Sequence, residues 1–269
     1  MAYTLSWETQ NPGLMIFLVD QSGSMRFNLG TKKRSQVVVE NTREILEELL
    51  GYCQKGTEIR NKFKCIIIGY SDKAEVCYDK NAMEINNDIE TGNSILEAKE
   101  SGLTNMEDAF KIAINKIKEW IEFQQKKGVP IPAPRVVNIT DGQPEMRGIP
   151  DDKAMEKAEA AARELMEVQT DDGKVMLSNI FLYSCDIRFP QQIDEVNKNI
   201  KENSARTNAE FLFRISSEIS EASVANAASK GLTVNIGSRL LLCSDNPEDI
   251  LKFMDYASHP KMSPPYPIG

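Results

Sequence analysis

Histidine is almost missing from this chain: one residue, His259, in 269. It stands before Pro260 near the C-terminus, far from every motif described below, and reads as incidental. A Ser-His-Asp hydrolase therefore lacks its base, and no G-x-S-x-G turn appears. Cysteine is sparse too. Cys53, Cys65, Cys77, Cys185 and Cys243 are odd in number, widely spaced and free of any C-x-x-C. This excludes the common zinc-site patterns and a disulfide framework, and it points to a reducing compartment. Cys65 and Cys185 lie in apolar runs and read as core residues. No apolar stretch reaches the ~20 residues that a membrane-spanning helix needs. The first residues show no basic region followed by an apolar one, so no signal peptide is expected. The expectation is a soluble cytoplasmic protein with no membrane partner. Basic charge is also short, with 32 Lys and Arg against 40 Asp and Glu, net −8. No basic patch dominates, which argues against nucleic acid as the main partner. The clusters Lys32-Lys33-Arg34 and Lys126-Lys127 read as a solvated helix start and a solvated helix end.

What is present is a regular alternation of elements. Hydrophobic residues make up 41% of the chain, enough for the core of one large α/β domain. The run 14–19 is short, continuous and apolar, bounded by Pro12-Gly13 and Asp20, as a strand buried on both faces should be. Further strands are expected at 63–70, 135–140, within 175–184 and at 240–243. A shorter one at 74–78 suits an antiparallel edge. Helical spacing covers 33–53, 105–126, 151–170, 192–202 and 218–229, and Pro247 suits the first turn of a last helix. The stretch 79–101 is polar and ambiguous. Strands alternating with helices predict a doubly wound α/β fold, a mostly parallel central sheet with helices on both faces. One domain is expected over 1–258, followed by a Pro-rich tail at 259–269 that is loose or extended.

Three motifs sit where strands give way to loops. Asp20-Gln21-Ser22-Gly23-Ser24 follows the first strand. Gly102-Leu103-Thr104-Asn105 precedes the strongest helix. Thr140-Asp141-Gly142 ends the strand at 135–140. Parallel strands deliver their C-terminal ends to one sheet edge, where ligands bind. Residues Asp20, Ser22, Ser24, Thr104 and Asp141 are therefore expected to meet as a cluster of hard oxygens. Thr104-x-x-Glu107 also fits a capping box, with Thr104 as the helix N-cap.

These motifs resemble the von Willebrand factor A domain and its metal-ion-dependent adhesion site. That family's pattern is D-x-S-x-S after the first strand, a threonine before a helix and T-D-G after a later strand. The resemblance runs over roughly 14 to 245 and implies a Rossmann-like sheet. The oxygens suit a hard cation, Mg²⁺ first, with Mn²⁺ or Ca²⁺ as substitutes. Asp20 supplies a carboxylate, and Ser22 and Ser24 supply hydroxyls. Thr104 gives a third hydroxyl or binds through water, and Asp141 acts through a water or by holding a serine hydroxyl. A first shell rich in hydroxyls leaves the ion electrophilic. The resemblance implies that a partner's Asp or Glu completes its coordination.

Enzymatic readings fare worse. A haloacid-dehalogenase-type phosphohydrolase also places Asp after its first strand, but it wants a second acid two residues on, where this chain has Ser22. The expectation is a non-enzymatic, metal-dependent protein-binding module. Asn179–Asp186 and Phe211–Glu218 look like bacterial stand-alone proteins related to tellurite-resistance members of the family. That likeness implies signalling or stress response beside a protein kinase or a metal-dependent phosphatase. An accessory subunit of an AAA+ ATPase is the alternative.

Overall fold

Each residue of the run Gly13–Asp20 is buried, because the strand it forms (β1) lies in the interior of a seven-stranded sheet. A computed structural model describes residues 3–229 and 232–258. The Pro-rich tail and His259 lie outside the described residues. The other strands are β2 (Phe63–Tyr70), β3 (Ala74–Asn81), β4 (Arg135–Thr140), β5 (Met176–Phe181), β6 (Ile187–Arg188) and β7 (Leu241–Cys243). Their spatial order is β6-β7-β5-β4-β1-β2-β3. All neighbouring pairs are parallel except the two at the edges, β2 with β3 and β7 with β6.

The period of two along β1 sorts its side chains between two cores. Met15, Phe17 and Val19 join one, with α1 (Arg34–Cys53), α2 (Ala82–Thr91), α7 (Glu221–Ser229) and α8 (Pro247–Ser258). Leu14, Ile16 and Leu18 join the other, with α3 (Met106–Gln125), α4 (Asp151–Glu167), α5 (Ile193–Asn199) and α6 (Asn203–Arg214). Each fully buried side chain of this kind contributes about 1.5–3 kcal/mol. The doubly wound layout is as expected.

Several local expectations need correction. The predicted helix over 192–202 is only α5, which ends before Ile200, an extended and buried residue, and the helix that follows it, α6, was not expected. The stripe that seats α6, Ala205, Ala209 and Leu212, is interleaved with Ser, Thr and Asn, which hid it. The ambiguous stretch 79–101 contains α2. Asn81 accepts from the backbone of Met83 and Glu84 while Glu84 reaches back to Asn81, so two caps replace a strong apolar stripe. Helix α4 stops at Glu167 because Gln169–Thr170 pairs with Gly173–Lys174 in a small hairpin. Helix α7 begins at Glu221, three residues later than expected. Edge strand β6 is only two residues long, too short to carry a periodic signal. Cys65 is in the core, whereas Cys185 is only half-buried, its thiol 3.6 Å from the Cys243 carbonyl.

The N-terminal end of β1 is sealed by Trp7, which stacks on Phe63 with ring centroids 6.3 Å apart. A Cβ added at Gly13 would lie 1.9 Å from the Trp7 indole. Gly13→Ala is therefore expected to cost about 1–3 kcal/mol, as overpacking does, read as a lower urea midpoint at unchanged slope. A midpoint equal to that of the unmodified chain would show that the indole moves aside freely.

A candidate metal centre at the C-terminal edge of the sheet

Register places the two acids. Asp20 pairs with Tyr70 across β1 and β2, and Val19 pairs with Ile139 across β1 and β4. Asp20 and the turn after Thr140 therefore leave the sheet side by side. The Asp20 carboxylate is buried and accepts two hydrogen bonds. One comes from the Ser22 backbone N–H at 2.8 Å, the other from the Thr140 hydroxyl at 2.7 Å. Thr140 in turn accepts from the Gly142 N–H at 3.1 Å, which shapes the Thr140-Asp141-Gly142 turn.

A chain of oxygens runs from there. The Ser22 and Ser24 hydroxyls are 3.1 Å apart, and the Ser24 hydroxyl donates to Asp141 Oδ1 at 2.7 Å. Asp141 thus holds a serine hydroxyl, one of the two roles open to it in the sequence. Thr104 reaches the same place from the opposite side. With Ser22, Ser24 and Asp141 it lines a depression of about 500 Å³. All five sequence-selected residues are brought together.

Thr104 is not the helix cap. Its N–H and C=O both pair with Glu145, at 3.3 and 2.9 Å, in an isolated bridge. Helix α3 starts one residue later than a Thr104 cap requires, and Asn105 caps it by accepting from the Asp108 N–H at 3.2 Å. The Thr104 hydroxyl is thereby released from capping. Gly102 has φ +88°, a left-handed conformation suited to glycine, and its carbonyl accepts the Gly23 N–H at 3.1 Å. These contacts tie the two loops together over the oxygens.

Arg34 is the residue that sequence reasoning missed. It heads α1, and its guanidinium donates to Asp141 Oδ2. The basic cluster is thus no simple solvated helix start. Lys32 stays exposed beside Glu40, but Lys33 bonds Glu100 at 2.7 Å and Arg34 turns inward. Only its place in the first turn after a loop, within reach of a buried acid, would have hinted at this. Arg26 and Phe27 complete the rim.

Burial pushes the Asp20 carboxyl up to about 7, and the nearby Asp141 carboxylate adds to the shift. A cation among these oxygens would oppose both effects. Two carboxylates and three hydroxyls without sulfur or imidazole suit a hard divalent ion such as Mg²⁺. Among the described residues no three His, Cys, Asp or Glu side chains gather around one point, since most of the donors here are hydroxyls. The residues present therefore fit such an ion.

Residues 15–143 match the family model described as the von Willebrand factor type A domain, a span that includes all five. No curated protein matches the chain. Solved structures of similar fold include the PilB minor pilin from Streptococcus sanguinis, with TM-score 0.55 and 12% identity over 92% of this chain and 61% of that one. The pilus adhesin SpaC from Lactobacillus rhamnosus GG gives TM-score 0.57 and 12% identity over 92% and 30%. Proximal thread matrix protein 1 from the mussel byssus gives 0.51 and 14% over 92% and 48%. The chain spans under two thirds of each of these neighbours, and at such identities the likeness concerns the fold alone.

Between the ordinary carboxylate range and about 7 the folded chain keeps a proton on Asp20 that the unfolded chain has released. Stability of the metal-free protein should then fall as pH rises through that window and level off above it. Asp20→Asn removes the buried charge, and the Thr140 hydroxyl can accept as well as donate. Scanning calorimetry in EDTA should show the variant melting several degrees above the unmodified chain at pH 8 and much less so at pH 5. Asn105→Ala should cost about 1 kcal/mol as a lost N-cap, while Thr104→Val, which loses the hydroxyl but keeps the shape, lowers the urea midpoint less; the reverse ranking would return the cap to Thr104.

Proposed function

This chain carries a von Willebrand factor type A domain, and from that premise we propose that it is a non-enzymatic, metal-dependent protein-binding module. The observation that carries the reading is the run of oxygens from Ser22 through Ser24 to Asp141, closed by Asp20 on the sheet side and Thr104 on the loop side. Asp20, Ser22, Ser24 and Thr104 would hold the ion, Mg²⁺ first with Mn²⁺ or Ca²⁺ as substitutes, and Asp141 would orient Ser24. The ion's part is to accept a carboxylate oxygen from an Asp or Glu of a partner protein. With three uncharged hydroxyls among the ligands, the ion would keep positive charge for that carboxylate. Among the lining residues are no His, Cys or Lys, and the carboxylate that meets Ser24, Asp141, is itself paired with the Arg34 guanidinium, which supports the binding reading over a phosphohydrolase.

The setting is proposed to be intracellular. All five thiols are free, and among the described residues no helix is long and apolar enough to cross a membrane. Free thiols accord with a reducing compartment. The bacterial kinase- and phosphatase-linked setting rests on Asn179–Asp186 and Phe211–Glu218. Those stretches supply β5 with its exit and the end of α6, where Asn179, Phe181, Phe211 and Leu212 are buried. They speak for the interior and leave the partner to experiment.

Titration calorimetry should show Mg²⁺ and Mn²⁺ binding that Asp20→Ala weakens at least tenfold, roughly 1.4 kcal/mol. Affinity capture in Mg²⁺ and in EDTA should then retain a partner only with the metal. A kinase or phosphatase would favour the signalling setting, and an AAA+ ATPase the accessory-subunit alternative. Metal affinity unaffected by Asp20→Ala would overturn the site, and capture equal in both arms would move binding to another surface.

A further inference from the structure

The first turn of α1 brings a positive charge against the candidate metal centre and holds it there. The Arg34 guanidinium pairs with Asp141, whose side chain is fully buried, while the Arg34 side chain is 20% exposed. The Arg34 backbone N–H donates to the Phe27 carbonyl at 2.9 Å, and its guanidinium carbon lies 6.0 Å from the Phe27 ring centroid. The turn around it is pinned as well, since Lys33 and Ser35 both donate to Glu100, at 2.7 and 2.6 Å. Arg34 Nε is buried with no hydrogen-bond partner. A surface ion pair would leave that donor in water. Here the chain tolerates an unmet donor to keep the charge at Asp141.

We propose that Arg34 is the built-in counter-charge of the centre: it offsets the buried carboxylates when no ion is bound, weakens the hold on a divalent cation, and leaves the loaded centre net positive. The proposal rests on the reading of these residues as a cation site. Asp20 and Asp141 bring two negative charges when ionised, and Arg34 reduces that to one. A divalent ion then leaves one positive charge, which a single partner carboxylate neutralises. Without Arg34 the loaded centre would already be neutral, and the attraction for an acidic partner would be correspondingly weaker. Arg34 acts through Asp141 and the local potential, as a positioning residue.

The test is Mn²⁺ titration by calorimetry on the unmodified chain, Arg34→Gln and Arg34→Lys, with melting curves in EDTA and in saturating Mn²⁺. Gln keeps a donor for Asp141 and removes the charge, whereas Lys keeps the charge. Arg34→Gln should bind Mn²⁺ on the order of tenfold more tightly, and Arg34→Lys should stay within about twofold of the unmodified chain. In EDTA Arg34→Gln should melt lower than the unmodified chain, and saturating Mn²⁺ should narrow or reverse that gap. A variant that folds only with Mn²⁺ present is the same result in stronger form. A structural salt bridge predicts the opposite, an affinity unchanged or weakened by Arg34→Gln. That outcome, with the unmodified chain binding Mn²⁺, overturns the proposal and leaves the cation site standing. A variant unfolded with and without Mn²⁺ also overturns it. No binding by any of the three proteins overturns both.

Discussion

A carboxylate taken out of water at the end of a buried strand must be matched by hydrogen bonds or by opposite charge. This chain does so twice within one small volume. Asp20 is met by the Ser22 N–H and the Thr140 hydroxyl, Asp141 by the Ser24 hydroxyl and the Arg34 guanidinium. Those four partners come from the loop after β1, the end of β4 and the start of α1. The demand of two buried acids thus draws separate segments to one point. The loop before α3 is drawn in by backbone bonds, Gly102 to Gly23 and Ser101 to Gln21.

The sheet beneath supplies a firm base. One layer below the acids, Tyr70 donates to Asn138 at 2.8 Å, Asn138 to Asn179 at 2.9 Å, and Asn179 to Ser216 at 2.9 Å. All four are buried, and they link β2, β4, β5 and the segment just after α6 across the face covered by α3 and α4. A satisfied buried polar chain favours one register over its neighbours. Register is what sets Asp20 beside Thr140, because a slip of one residue would turn either side chain to the opposite face.

The balance of charge and hydroxyl decides the chemistry. A site of several carboxylates would neutralise its ion. One of hydroxyls alone would hold it weakly. Here one carboxylate faces the proposed ion, a second is shared between a serine and an arginine, and a rim of Arg26 and Phe27 stands beside them. Glu145 lines the same depression, so the rim carries both signs on a chain of net charge −8.

The central strands were legible because burial on both faces writes a continuous apolar run, as in 14–19 and 65–68. Helix α3 was legible from its stripe Met106, Phe110, Ala113, Ile117 and Trp120. The five oxygen-bearing residues of the candidate site were legible because their motifs sit at strand ends or just ahead of a helix. Helix α6 and strand β6 were not, since a polar-interleaved stripe and a two-residue strand leave little periodic signal. The cap of α3 shows the limit most clearly. Thr104 and Asn105 both suit an N-cap, and the choice fell to Asn105 because Thr104 pairs with Glu145, 41 residues away. Arg34 read as one of three consecutive basic residues until the fold set it against Asp141. The sequence by itself determined the strand and helix types and the oxygens at the strand ends, because hydrophobic period and turn chemistry act between near neighbours. Tertiary structure alone decided which charge faces which, because Coulomb energy depends on distance in space and a chain's order does not state it.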